Sequence, residues 1–167
     1  MSSDSLLTKP VASSWAPLLL RISLGVIFFA HGAQKVLGWY GGYGLAASRG
    51  FFENVLGISA PLFYLAAFTE FLGGILIVIG LLSRVWAIGY FIEMLVALFK
   101  VHLPVGFFMN WGSVAGQGEG YEFHIALLAM SLAVALLGPG PYSLDYALVS
   151  RGTEKGRFLD EVARVSR

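Results

Sequence analysis

The sequence predicts an all-α membrane protein: a four-transmembrane-helix bundle with interfacial outer loops and an amphipathic C-terminal tail. Three observations lead there. Of the 167 residues, 57% are hydrophobic and only 13% charged, against about 25% charged in ordinary soluble domains. The mean hydropathy is +0.75, too apolar for a domain of this size to stay dissolved. Four segments approach the ~20 apolar residues that cross a bilayer.

The elements follow in order. Residues 1–15 form an N-terminal segment, and residues 16–143 hold the spans, at about 16–37, 60–82, 85–103 and 121–138. Pro17 and Pro61 stand at helix starts, where the missing N–H costs nothing. Pro104 and Pro139 stand just past helix ends. In the first span, "AHGA" is a poor signal-peptidase site and the run is long enough to cross, so a retained span is expected. Gly73, Gly74 and Gly80 in "GGILIVIG" favour close helix packing. Between the first two spans, "GLAASRGFFENVLG" reads as a short interfacial helix with Phe51, Phe52, Val55 and Leu56 turned to lipid. Residues 144–167 form the tail, where Phe158, Leu159, Val162 and Val165 share one face of an amphipathic helix.

Four spans put both termini on one side. That side carries Lys9, Arg84, Arg151, Lys155, Arg157, Arg164 and Arg167, against Lys35, Arg49 and Lys100 opposite. The bias predicts cytoplasmic termini in a cell (inner) membrane, with the connections near 38–59 and 104–120 facing the periplasm. Their aromatic and glycine-rich stretches, "GWYGGYG" and "GFFMNWGSVAGQGEG", read either as an interfacial aromatic belt or as a cap over a site. The chain has no cysteine, which excludes disulfides, thiol exchange by its own residues and iron–sulfur ligation. No basic patch with interleaved aromatics points to nucleic acid.

Against this apolar background stand Arg21, His31, Gln34, Lys35, Glu70, Glu93, Lys100, His102, Glu122 and His124, all in or at the edges of the spans. Each buried charge costs at least ~2.5–3.5 kcal/mol on insertion scales, so most must face inward and find partners. At ~1.5 Å of rise per residue, Glu70 and Glu93 fall near the midplane. His31, Gln34, Lys35, Lys100, His102, Glu122 and His124 lie near the outer side, and Arg21 lies alone near the inner one. Lys35 and Lys100 could simply snorkel outward. Glu122 could serve a helix N-terminus. At mid-depth, Glu70 and Glu93 each need a proton or a cation, although a buried pair can also serve registry alone.

Taken together, "RISLGVIFFAHGAQKVLGWYGG", "TEFLGGILIVIGLLSR", "HLPVGFFMNW" and "GYEFHIALLAMSLAVALLGPGPYSLD" resemble the DoxX family, over about residues 21–145. The resemblance implies a four-helix protein of the bacterial or archaeal cytoplasmic membrane. The family includes a subunit of archaeal thiosulfate:quinone oxidoreductase and membrane components tied to thiol and oxidative-stress homeostasis. Its polar motifs match Arg21, His31, Gln34, Lys35, Glu70, His102, Glu122 and His124. Glu93 matches no such motif and rests on its depth.

The leading expectation is a quinone-interacting membrane subunit of an oxidoreductase, with a lipid bilayer around it, a separate periplasmic redox partner protein and a possible homo-oligomeric state. Glu70, Glu93 and Glu122 are the candidate catalytic, proton-handling groups. Arg21, His31, Gln34, Lys35, Lys100, His102 and His124 are the candidate cofactor-binding groups, with quinone as the cofactor. The histidine spacing matches no established metal or haem motif, and no metal ligand is assigned, although haem or a metal stays open here. A small-solute carrier and a non-catalytic assembly or tethering subunit also stay open, as does whether the chain catalyses anything by itself.

Overall fold

The computed structural model describes residues 15–151. Among these there are helices and loops and no strand. The helices are α1 (Ala16–Val36), α2 (Gly44–Asn54), α3 (Ala60–Ile79), α4 (Ser83–Ala97), running on through a π-helical turn (Leu98–His102), and α5 (Glu122–Leu137). A further helix begins at residue 144. The first 14 residues and the amphipathic tail face expected around Phe158–Val165 lie outside the described residues.

Three of these helices are long and apolar enough to cross a membrane: α1, α3, and α4 with its π-helical extension. The fourth expected span is a shorter apolar helix of 16 residues. The α3–α4 boundary also differs from expectation. α3 stops at Ile79 because Gly80 adopts the left-handed region, φ 77°, which glycine enters without a Cβ penalty. α4 then begins at Ser83, two residues earlier than expected. The π-helical turn was not legible in the hydropathy. Pro104 cannot donate to the carbonyl four residues back, and the Leu103 N–H instead reaches Leu98 O at 2.8 Å.

α1, α3, α4 and α5 close into a ring, α1 against α3, α3 against α4, α4 against α5, and α5 against α1. The α1–α3 contact is the most extensive, because small residues let the two backbones meet. A Cβ on Gly32 would stand 2.6 Å from the Phe71 Cα, and one on Gly74 would stand 2.7 Å from the Phe29 Cβ. Leu24, Phe28, Ile77, Tyr90, Leu127 and Val134 fill the centre. Phe28 and Tyr90 stack with ring centroids 3.7 Å apart and planes within 4°.

α2 forms as expected, but its apolar residues do not all face outward. Phe51 and Val55 are exposed, whereas Phe52 turns inward and meets the buried Phe63 edge-on at 5.0 Å. The correction has a simple cause: Phe51 and Val55 are four apart and share one side, whereas Phe52 lies about 100° round the helix from Phe51.

The termini face is tied by a polar knot. Arg21 is wholly buried. Its guanidinium donates to Ile77 O (3.5 Å), Val78 O (3.4 Å) and Tyr142 O, so it satisfies carbonyls at the end of α3 and in the loop after α5. Leu82, at φ 54°, occupies the N-cap position of α4 but has no side chain able to cap. Asp145 supplies the cap from a distance, accepting from Leu82 N at 2.8 Å and Ser83 N at 3.0 Å. Ser143 caps the helix that follows, accepting from Tyr146 N at 3.1 Å. The "GPGPYSLD" motif is thus a clasp joining the α3–α4 turn to the chain after α5.

Losing an N-cap acceptor costs about 0.5–2 kcal/mol. Asp145→Ala is expected to lower stability by about that amount, and Asp145→Asn by less, because the amide oxygen still accepts. Thermal unfolding in detergent checks this; equal effects from both changes would mean that the cap is not what Asp145 contributes.

Candidate functional site

The opposite face carries the loops 37–59 and 103–121 and most of the polar residues singled out from the sequence. Its centre is an ion pair. Lys35 Nζ, from the last turn of α1, lies 2.6 Å from Glu70 Oε2, at the middle of α3. The lysine side chain is 19% exposed and the glutamate 7%. The pair forms because Gly32, one turn before Lys35, brings α1 onto the α3 backbone at Glu70 and Phe71. Lys35 therefore does not snorkel outward; it turns inward to a carboxylate and also donates to His31 O at 3.4 Å.

Glu93 lies beside this pair on α4. Glu70 and Lys35 are both within electrostatic reach of it, yet both of its carboxylate oxygens are buried without a hydrogen-bond partner. The contrast with Glu70 sets the two carboxylates apart: one is neutralised by a cation and the other is not.

The histidines gather nearer the loops. His102, in the π-helical turn, and His124, on α5, pack with ring centroids 3.9 Å apart and planes tilted by 37°. His102 Nδ1 meets Glu119 O at 2.7 Å. His124 is 7% exposed, and its Nδ1 has no partner. His31 is exposed; it lies within electrostatic reach of Lys35 on one side and of His124 on the other. A series of titratable groups, each within electrostatic reach of the next, therefore runs from Glu93 through Glu70, Lys35, His31 and His124 to His102. It continues toward the loop face only. Below Glu93, toward the termini, the centre is filled by Phe28, Leu24, Ile77 and Val134. Among the described residues, no group of three or more His, Asp or Glu side chains could hold a metal ion.

Four further candidates hold structure together at or beyond this series. Gln34 donates to Tyr40 O at 3.3 Å, closing the "GWYGG" loop onto α1. Lys100 donates to Leu56 O at 3.1 Å, tying the π-helical turn to the chain after α2. Glu122 Oε1 accepts from Met109 N at 2.9 Å and from Trp111 Nε1 at 2.8 Å. With Glu119, which accepts from Asn110 N at 2.8 Å, it pins the 104–120 loop over the α5 start. Arg21 lies at the other end of α1, about 20 Å from Lys35 at 1.5 Å per residue, and is engaged in the termini-face knot.

Comparison with known proteins decides the family. The DoxX family profile matches residues 16–103. The chain belongs to the DoxX family. A Bacillus subtilis (strain 168) protein named "Putative oxidoreductase CatD" is 31% identical over 139 residues, 83% of this chain and 90% of that protein. A protein of Mycobacterium tuberculosis described as an uncharacterized membrane protein is 29% identical over 165 residues, 90% of this chain and 98% of that one. No solved structure matches the chain significantly. As a DoxX protein with apolar helices of spanning length, it is a membrane protein.

Sequence reasoning passed over Tyr90, whose buried hydroxyl has no partner. The signal was present: Tyr90 and Glu93 are three apart, so they share a helix face.

Two predictions follow from these contacts. Removing one member of a buried ion pair strands the other, at about 3–5 kcal/mol. Lys35→Met is expected to destabilise on that scale, and Lys35→Met with Glu70→Gln to recover most of the loss. A double-mutant cycle by thermal unfolding checks this, and additive losses would mean that the pair is not coupled. Glu122→Ala should release the loop, seen as faster protease cleavage between residues 108 and 119. An unchanged cleavage rate would mean that the indole and amide contacts do not hold it.

Proposed function

We propose that this DoxX protein is the quinone-interacting membrane subunit of an oxidoreductase, operating in sulfur/thiol or oxidative-stress metabolism. Four helices span the cytoplasmic membrane in this reading, with the termini inside and the loop face outside. α5, at 16 residues, rises about 24 Å, and its flanking residues complete the crossing of the ~30 Å hydrocarbon core.

The observation that carries the reading is the series of titratable groups, which includes buried polar atoms left without partners. The leading ligand class needs an apolar setting for its ring and tail, with donors for its carbonyl oxygens. His124 Nδ1 is such a buried orphan; His102 and His31 lie within electrostatic reach of it, and Lys35 lies within reach of His31. These four would hold the head group. Quinone, when bound, supplies the electron-accepting chemistry, and its reduction consumes protons. The chain's own part is to bind and orient the ring, exclude bulk water and supply protons through Glu93, with Glu70 held beside it in its ion pair with Lys35. The relative named as an oxidoreductase agrees in class. Electrons would come from a separate protein on the loop face, because no flavin or iron–sulfur motif is evident in the sequence.

Purification in mild detergent, followed by an absorption spectrum and mass spectrometry of the extracted lipids and co-purifying proteins, tests this. Stoichiometric quinone is expected in the native protein, lost in His124→Ala and reduced in His31→Ala. A protein that retains no quinone and no redox partner would defeat the proposal in favour of a carrier or tethering role.

A further inference from the structure

Tyr90 is wholly buried, and its ring lies flat on Phe28, so its position is set by packing. Its hydroxyl is nevertheless without a hydrogen-bond partner, an arrangement that buried hydroxyls rarely keep without a reason. The oxygen sits over Gly73 of α3, where a Cβ would stand 2.8 Å from it. Gly73 is thus a notch that admits the hydroxyl between α4 and α3.

The two helices run antiparallel, which places the carboxylates. Glu70 is one turn from Gly73 toward the loop face, and Glu93 is one turn from Tyr90 in the same direction. Both lie within electrostatic reach of the hydroxyl. Lys35 faces them from α1 and is taken by Glu70. The histidines on α1, α5 and the π-helical turn lie farther along, toward the loops. One cation between two carboxylates leaves the cluster neutral when it holds one proton.

We propose that Glu70, Glu93 and Tyr90 form a binding site for a single exchangeable proton, carried on Glu93, with Tyr90 as the positioning residue. The proton adds to a Glu93 carboxylate oxygen, converting carboxylate to carboxylic acid with no electron transferred, and Lys35 stays with Glu70. When the Glu93 side chain turns toward it, the Tyr90 hydroxyl donates to the other Glu93 oxygen, so that two orphaned groups satisfy one another. This rests on the reading of Glu93 as a proton carrier, and is independent of whether quinone is the acceptor.

Infrared difference spectroscopy of the purified full chain, titrated in H2O and D2O, tests it with Tyr90→Phe and Glu93→Gln. Phe keeps the stack on Phe28, and thermal unfolding verifies that each variant is folded. The native protein should show one buried carboxylic-acid band that shifts in D2O and is absent in Glu93→Gln. In Tyr90→Phe the band should move to higher frequency, because a donor to the carboxyl is gone, and should be lost at a different pH. A band that Glu93→Gln removes but Tyr90→Phe leaves unmoved would overturn the role of Tyr90 while sparing Glu93 as proton carrier. No band at any pH would overturn both.

Discussion

The Lys35–Glu70 ion pair is the constraint on which the rest of the loop-face half depends. A carboxylate at mid-depth is tolerable only with a cation or a proton, and here the cation comes from the neighbouring helix. The 2.6 Å contact requires α1 and α3 to approach closely at that level. Gly32 and Gly74 make this possible by removing the side chains that would hold the backbones apart. Packing and charge therefore support one another. Without the small residues the pair could not close, and without the pair Glu70 would oppose the packing.

The polar residues of this chain divide by task. At the termini face, Arg21 and Asp145 satisfy backbone groups that helix ends leave exposed, and they join the α3–α4 turn to the chain after α5. At the loop face, Glu122, Gln34 and Lys100 do similar work for loops and helix connections. Glu93, Tyr90 and His124 bear buried atoms without partners, as do Arg21 at Nε and Ser83 and Ser131 at their hydroxyls. Structural polar groups in an apolar setting are normally satisfied. Of the unsatisfied ones, Glu93, Tyr90 and His124 are grouped with the other titratable side chains of the loop-face half, and that connection to the loop face alone makes the cluster one-sided.

Much of this could be read from the sequence. The three long helices follow from apolar runs opened by Pro17 and Pro61 or ended before Pro104, and the inward demand of Glu70 follows from its place in the middle of such a run. The divergence of Glu122 and His124 follows from their spacing of two, and the structure indeed sends one to the loop and the other into the bundle. Arg21, in contrast, shares a motif-like setting with His31 and Lys35 but lies at the other end of the same helix. Residue type and order do not say which carbonyls a guanidinium will meet. Tyr90 was hidden because an aromatic residue in an apolar run looks like core, and its ring is core; only its oxygen is not.

By itself, then, the sequence determined that the chain is helical, lives in a membrane and belongs with the DoxX proteins, because composition, helix length and motif order are properties of the chain alone. It also set the position of each ionisable group along its helix, since the rise per α-helical residue is nearly constant. The tertiary structure decided which charge meets which. Lys35 could equally have reached water, and Glu93 could have taken the cation in place of Glu70. The choice was made by helix-to-helix distance, set by a few glycines, which decides whether a side chain a few ångströms long reaches its partner or leaves it alone.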